Sequence, residues 1–138
     1  MILNNKAKSF ITIMIVVALA ALSLRVFIHK IIRLNIQQNQ SFAQNNLKLI
    51  SIAMENYAKN NKGVYVDSIL KLTQSTPAYL GKNYIKDSPL RGYEYDCPRL
   101  DAAGYSCSAT PDSCKLSGET VYSVSTGGLF ISESCDKK

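Results

Sequence analysis

The sequence predicts an α+β fold in which one long N-terminal helix packs, by its second half, on a small antiparallel sheet of three or four strands. Three observations predict it. The chain of 138 residues begins with a long apolar run, has no proline or glycine before residue 63, and gathers four cysteines in its last 42 residues. We therefore divide it into an apolar helix (10–33), an amphipathic continuation (34–62) and a head (63–138).

The apolar run Phe10–Leu24 contains fifteen uncharged residues. At ~1.5 Å per residue it is about 22 Å long, shorter than the roughly 30 Å hydrocarbon core of a bilayer. Apolar residues resume after Arg25, so a helix over 10–32 spans the bilayer if the Arg25 side chain reaches the headgroups. A cleaved signal peptide ending near Ser23 also fits this segment. The absence of helix breakers up to residue 62 favours the long membrane-spanning helix.

The second half of the helix changes character twice. Residues 35–46 are polar, and both a solvated helix and a melted stretch fit them. Apolar residues then recur at three- and four-residue spacing, which predicts a helix face packed on the sheet. Its members are Leu47, Ile50, Met54 and Tyr57. Asn60, Asn61 and Gly63 predict the end of the helix.

After Gly63, proline and glycine interrupt the chain too often for a second long helix. A short helical turn is predicted over residues 67–72. Short segments in which Tyr and Val alternate with polar residues predict strands over 92–97, 104–109, 120–125 and 129–132. Gly127 and Gly128 between the last two predict a hairpin turn. The resulting sheet buries one face, and the apolar face of the long helix is the surface available to cover it.

The net charge of +6 comes mostly from the N-terminal quarter of the chain. Residues 1–33 contain five cations and no acid, and the first carboxylate is Glu55. The rest of the chain has eleven Lys or Arg against ten Asp or Glu and is nearly neutral. This distribution is typical of charges that flank a membrane segment, and it does not predict nucleic-acid binding.

The four cysteines include no CxxC pair, and His29, the one histidine of the sequence, lies far from them beside the apolar segment. Zinc sites usually place their ligands in close pairs, so we expect two disulfides in an exported protein, not a metal site. Three pairings are open. Proximity in sequence, and a hairpin that places Cys135 near the residues after Cys114, favour Cys97–Cys107 with Cys114–Cys135.

An enzyme is not expected. The sequence has no GxSxG, P-loop or HExxH pattern, and its histidine sits at a membrane boundary. No cofactor or metal is predicted, because the acids that a loop calcium would need match no calcium-loop spacing and are interpreted as solvated. These acids are Asp96, Asp101, Asp112 and Glu119. The tyrosines are interpreted as helix-to-sheet packing, not as a platform for bases; they are Tyr57, Tyr65, Tyr93, Tyr95, Tyr105 and Tyr122.

Several segments together resemble type IV pilins and type II secretion pseudopilins. The apolar helix and its continuation are followed by MENYAKNNKGVY (54–65), by PAYL and by SPLRGYEY, and then by short strands. The resemblance covers nearly the whole chain, and residues 54–65 and 89–95 are its most specific parts. It implies a long helix on a small sheet and a structural role as a major or minor filament subunit.

The resemblance also implies how the chain is processed, where it is located and how it assembles. Residues 1–9 would be a leader that a prepilin peptidase removes between Ser9 and Phe10, followed by methylation of the new N-terminus. The chain would sit in the bacterial inner membrane with its head in the periplasm. It would then assemble with itself or with related pilins, through the assembly machinery, into a periplasmic or cell-surface filament. The helix residues implied in this packing are Phe10, Ile13, Met14, Val17, Leu24 and Ile28.

Two positions depart from the pattern of the resembled family. Ser9 stands where the family has glycine, and Met14 stands where it has a glutamate that neutralises a neighbour's N-terminal amine. These departures favour an alternative, a permanently anchored accessory protein whose head binds another protein. A secreted soluble module, released by cleavage near Ser23, is the third hypothesis.

Overall fold

A computed structural model describes residues 5–136, with side chains from Ser9 onward. The chain divides into two compact units between Leu34 and Asn35. Within them lie two helices and one four-stranded sheet, which confirms the predicted α+β class. The elements in order are α1 (Asn5–Asn60), α2 (Ile69–Gln74), β1 (Tyr93–Asp101), β2 (Gly104–Pro111), β3 (Thr120–Ser125) and β4 (Leu129–Ser134).

Helix α1 runs through both units because no proline or glycine interrupts it. It ends where the sequence predicts, at Asn60. Lys62 and Gly63 both adopt left-handed backbone angles, with φ of 58° and 84°. The Gly63 N–H donates to the Ala58 carbonyl over 2.8 Å, which satisfies one of the carbonyls left open at the helix end.

The polar stretch 35–46, left open on sequence, is helical and packs on the rest of its unit. Ile36 and Ala43 are buried in it. The Asn39 side-chain amide donates to the Ser117 carbonyl over 3.0 Å, and the Gln40 amide donates to the Thr120 hydroxyl over 2.9 Å. The polar residues are therefore partly hydrogen-bonded to the loop before β3 and to its start, which explains why mediocre helix formers remain helical there.

The sheet is an antiparallel meander in the order β1-β2-β3-β4. At the β1–β2 turn, the Asp101 carboxylate accepts hydrogen bonds from the N–H groups of Ala103 and Gly104, each over 2.9 Å. The β3–β4 turn contains the predicted glycine pair, with φ of 82° at Gly127 and 73° at Gly128. Both angles are easy for glycine and unfavourable for residues with a Cβ.

β3 has the predicted bounds, β2 and β4 each extend two residues beyond theirs, and β1 extends beyond Cys97 to Asp101. Pro98 was expected to break the chain. Instead the register of β1 against β2 shifts between Asp96 and Arg99, and this bulge takes up the proline. β1 is also an edge strand, where a residue without an N–H is tolerated. The short helix α2 begins two residues later than predicted, with the Ser68 hydroxyl capping the Leu70 N–H.

Both disulfides lie in the second unit, which starts at Asn35 and contains the sheet. Cys97 is joined to Cys107, across β1 and β2, with Cα atoms 4.0 Å apart. Cys114 is joined to Cys135, with Cα atoms 5.9 Å apart. This is the pairing that the sequence favours. The hairpin register places Ser134 opposite Thr120, and the Cys135 N–H donates to the Glu119 carbonyl.

Candidate functional site

The first candidate surface is the stem, which we define as residues 9–34 of α1. Every residue from Ser9 to Ile31 is exposed. The apolar side chains implied in filament packing are all among them: Phe10 64% exposed, Ile13 58%, Met14 57%, Val17 58%, Leu24 61% and Ile28 48%. An apolar surface of this size on a soluble monomer marks an interaction with other protein or with lipid.

The stem is built for an apolar medium. α1 is the one helix in the described part of the chain that is long and apolar enough to cross a membrane, a property that a signal sequence near an N-terminus would share. Its helical hydrogen bonds satisfy the backbone internally, as a bilayer requires. The Ser23 hydroxyl donates back to the Leu19 carbonyl over 2.8 Å, so this polar side chain is satisfied within the helix.

The predicted processing position lies near the start of α1. Ser9 and Phe10 are both helical and exposed, and Met14 follows Phe10 by about one turn, also exposed. Residues 1–4 of the predicted leader lie outside the described residues. Cleavage between Ser9 and Phe10 therefore stays a prediction.

The second candidate surface is the contact between α1 and the sheet, in the folded unit that we define as residues 35–136. Leu47, Ile50 and Met54 have no exposed surface, and they belong to one apolar cluster with Tyr93 and Tyr105 of the strands. Burying such side chains is worth about 1.5–3 kcal/mol each. These three helix residues lie where the sequence places them, against the sheet.

Tyr57, the fourth residue predicted to pack on the sheet, is only partly buried. Its ring contacts Tyr79, which lies beyond α2, with centroids 5.5 Å apart in an edge-on arrangement. The Asn60 amide also donates to the Tyr79 hydroxyl over 2.9 Å, so the last turn of α1 meets the connection after α2. The sequence cannot place this loop, because the loop has no periodic pattern of its own.

A polar network centred on Glu55 joins the helix to the sheet. The carboxylate accepts hydrogen bonds from the hydroxyls of Tyr65 (2.9 Å) and Tyr105 (3.0 Å) and from the backbone N–H of Gly127 (2.8 Å). Ser51, one turn earlier, donates to the Tyr105 hydroxyl over 2.9 Å. Three segments distant in sequence therefore converge on one carboxylate, which defines the position of the β3–β4 turn.

Sequence reasoning did not find this network. The available signal was a serine and a glutamate four residues apart, beside an apolar helix face in a chain rich in tyrosine. A second polar contact between the helix and the sheet is made by the buried Asn46, whose side-chain amide donates to the Tyr95 hydroxyl over 2.9 Å. Tyr95 and Tyr105 thus act as expected of helix-to-sheet packing residues, with an apolar ring and a bonded polar tip.

Burial changes the acidity of these tyrosines. Loss of solvent raises the pKa of Tyr105 to about 12, and the neighbouring Glu55 carboxylate adds to this effect. Burial also raises the pKa values of Tyr93 and Tyr95 above the usual value near 10. Each phenol is therefore held in its neutral, hydrogen-bonding form up to strongly alkaline pH.

A tight turn before β1 places the Arg91 guanidinium against Phe42 of α1. The backbone groups of Leu90 and Tyr93 bond to each other in both directions, over 2.8 and 3.1 Å. Between them Arg91 and Gly92 have φ of 48° and 71°, and a Cβ at Gly92 would lie 2.6 Å from the Cβ of Ser117. The Arg91 guanidinium then lies 4.8 Å above the ring of Phe42.

The acids considered for a loop calcium are not brought together. Asp101 instead pairs with Arg99 over 2.8 Å and caps the β1–β2 turn. Within residues 5–136, the one set of metal-ligating atom types that lie within 4.8 Å of one another is Cys114, Cys135 and Asp136. Both sulfurs there are consumed by the disulfide.

Comparison with known proteins yields one fold-level similarity to report. No family model matches the chain, and no curated protein matches it. Among solved structures it is similar to the non-core minor pilin PilV of Neisseria meningitidis, with 14% identity and a TM-score of 0.45, over 78% of this chain and 94% of that one. The α+β fold described above stands on the elements and contacts of this chain itself.

Proposed function

We propose that this protein is a structural subunit, major or minor, of a type IV pilus or type II secretion pseudopilus, anchored and assembled through its stem. The observation that carries the proposal is the division of α1. One continuous helix presents an entirely exposed apolar surface over residues 9–31, and from Ile36 onward it is built into a disulfide-bonded sheet unit.

Two media can cover the apolar stem. One is the bilayer, in which apolar side chains and a self-satisfied helical backbone are both stable. The other is a bundle of stems, where van der Waals packing between helices replaces contacts with lipid. A subunit that is stored in the membrane and then packed into a filament uses both in turn. The resemblance of residues 54–65 and 89–95 to pilins and pseudopilins supports this sequence of events.

The disulfides of the folded unit favour a location outside the cytoplasm. Two disulfides persist in an oxidising compartment and add about 2–4 kcal/mol each to a small core. Lys6 and Lys8 favour a cytoplasmic N-terminus, and the cations on the other flank, Arg25, Lys30 and Arg33, oppose it. The resemblance to pilins decides for a cytoplasmic N-terminus, with this unit in the periplasm. Single-pass insertion in the inner membrane, with prepilin peptidase and the assembly machinery as partners, completes the proposal.

A second candidate is a permanently anchored accessory protein that never polymerises. Ser9 and Met14 favour it, because the former changes the processing motif and the latter removes the carboxylate that would neutralise a neighbour's amine in an apolar core. In this case the stem stays in lipid and the folded unit binds another protein.

The test is the N-terminal sequence and intact mass of the protein from the native envelope fraction. A chain beginning at Phe10 supports the filament subunit, and a chain retaining Met1 supports the permanent anchor. A chain beginning near Leu24 contradicts both and indicates a secreted module. Ser9→Gly is the matched variant: it increases the fraction starting at Phe10 if a prepilin-type peptidase processes the chain, and changes nothing if a different enzyme does.

A further inference from the structure

Two arginines and a histidine of the stem lie in helical register at its C-terminal end. Arg25, His29 and Arg33 recur every four residues, and all three are exposed. On a helix of 3.6 residues per turn, each step rotates by about 40° and rises by about 6 Å, so the three occupy one stripe about 12 Å long. Apolar side chains cover the other side of these turns, with Phe27 63% and Ile31 42% exposed.

We propose that this basic stripe, Arg25–His29–Arg33, binds the phosphate groups of anionic phospholipids. The inference rests on the membrane anchoring proposed above and adds a ligand to it. It follows from three properties of the stripe: its height in the bilayer, its lack of an acidic partner, and the chemistry of its side chains.

The height follows from the length of the apolar segment. About 20 helical residues cross the hydrocarbon core, so a span that begins at Phe10 ends near His29. Arg25 then lies about 6 Å inside the boundary and Arg33 about 6 Å outside it. Because helical side chains lean toward the N-terminus, Arg33 leans back over the preceding turn, toward the boundary, whereas Arg25 reaches the boundary only by extending its long side chain in the opposite direction. The stripe therefore brackets the level at which the lipid phosphates lie.

The charge of the stripe has no counterpart in the chain around it. Residues 1–54 contain no carboxylate, so neither this helix nor the stem of an identical neighbour can neutralise it. The ion pairs found in residues 5–136 all lie beyond Asp67, and none includes a stem residue. A charge at the edge of a bilayer is costly without a counter-ion, and the membrane supplies phosphate at this height.

The side chains suit that ligand. The planar guanidinium of arginine donates two parallel hydrogen bonds to phosphate oxygens, and two arginines flank one imidazole on the same face. Lys30, one residue beyond His29 and also exposed, adds a third formal charge to those of the two arginines. Each basic residue near an anionic surface strengthens binding by a factor of about five. A stem that moves from lipid into a bundle of identical stems loses this counter-charge, so the site favours retention in the membrane.

The experiment measures lipid preference of the full chain by native mass spectrometry, with equal amounts of phosphatidylglycerol and phosphatidylcholine added to the protein in neutral detergent. The variant is R25Q/H29Q/R33Q. The control is K59Q/K82Q/K86Q, which removes three exposed cations from the folded unit. Flotation with phosphatidylcholine vesicles tests membrane anchoring separately for each protein.

We expect the wild-type chain and the control to bind phosphatidylglycerol over phosphatidylcholine by about tenfold or more, and the stripe variant to lose most of this preference, with a remainder due to Lys30. The preference also falls with added salt. A stripe variant that keeps the preference overturns the site, as does a wild-type chain that floats with vesicles but shows no preference. A wild-type chain that does not float overturns the anchoring itself, and the lipid site with it.

Discussion

Leu22 and Leu47 lie on the same helix, yet the first is 61% exposed and the second has no exposed surface. The same contrast holds for whole stretches of α1. From Phe10 to Leu24, apolar side chains surround the helix on all sides, whereas in the folded unit the buried ones lie on the face that meets the sheet, although Leu49 and Ile52 of the same helix are exposed. A helix that is apolar all round needs an external apolar medium, and a helix with one apolar face needs a partner within the chain.

The polar groups show the same contrast. In the folded unit, Asn46, Ser51 and Glu55 each bond to a tyrosine hydroxyl, so burial leaves them satisfied. In the stem, the hydroxyl of Ser23 bonds only to its own helix, and Arg25 has no acidic partner in the part of the chain that the structure describes. The folded unit is stabilised by its own contacts, and the stem by its surroundings.

The largest contrast is expected from one substitution made in both regions. Leu47→Ala leaves a cavity in a close-packed core and lowers the free energy of unfolding by about 2–5 kcal/mol. Leu22→Ala leaves it unchanged, because Leu22 contacts no core. Denaturant unfolding of the full chain in detergent, followed by near-ultraviolet circular dichroism, measures both. Equal effects would contradict the division of α1.

The converse test adds a charge. Val17→Lys places an ammonium near the centre of the membrane-spanning segment and costs about 2.5–3.5 kcal/mol for insertion, which lowers the equilibrium constant for insertion about a hundredfold. Val64→Lys, at a position 48% exposed in the folded unit, is the matched control and has no effect on insertion. Vesicle flotation reads out both variants. A Val17→Lys chain that inserts normally would show that the stem is not embedded in lipid.

Alkaline pH separates the two regions without mutation. Unfolded tyrosine ionises near pH 10, whereas burial raises the pKa of Tyr105 to about 12. A raised folded-state pKa stabilises the fold below pH 10, and this contribution is lost as the pH rises from about 10 to about 12, by about 2–3 kcal/mol.

The stem contains no tyrosine, since the first in the chain is Tyr57. We therefore expect near-ultraviolet signals to change above pH 10 while the stem stays inserted in vesicles. Tyr105→Phe reduces the pH dependence between about 10 and 12. A wild-type chain whose tyrosines all ionise near pH 10 with the fold intact would argue against their burial.

The smallest effect is expected in the polar network centred on Glu55. Glu55→Gln replaces a carboxylate that accepts three hydrogen bonds with an amide that has one acceptor oxygen, and lowers the free energy of unfolding by about 1–3 kcal/mol. Glu133→Gln, at an exposed position of β4, is the control and changes it little. Thermal unfolding of the full chain compares them. A loss for Glu55→Gln no larger than that for Glu133→Gln would argue against a stabilising role of the Glu55 hydrogen bonds.

Much of this architecture can be predicted from the sequence. The uninterrupted helix follows from the absence of proline and glycine, and the core face follows from the spacing of Leu47, Ile50 and Met54. The β3–β4 turn follows from its glycine pair, and the disulfide pairing from sequence proximity. The helix, its core face and the turn are local properties, read from neighbouring residues, whereas the pairing of Cys114 with Cys135, 21 positions apart, also needed the β3–β4 hairpin.

Other features depend on contacts between distant segments. The helical state of residues 35–46 depends on bonds from Asn39 and Gln40 to residues near β3. Strand β1 continues past Pro98 because a bulge against β2 takes up the proline. Glu55 accepts its three hydrogen bonds because three segments of the chain meet at its carboxylate. Local propensity is weak at these places, so long-range contacts decide the outcome.

The sequence by itself thus determined that the chain begins with one long helix, where this helix ends, which of its faces is apolar and where the net charge lies. Only the tertiary structure decided which polar residues would be hydrogen-bonded inside, and that all side chains from Ser9 to Ile31 would find no cover within the chain. The physical reason is that hydrophobic periodicity is encoded locally, whereas the satisfaction of a polar group or the covering of an apolar one requires a specific neighbour.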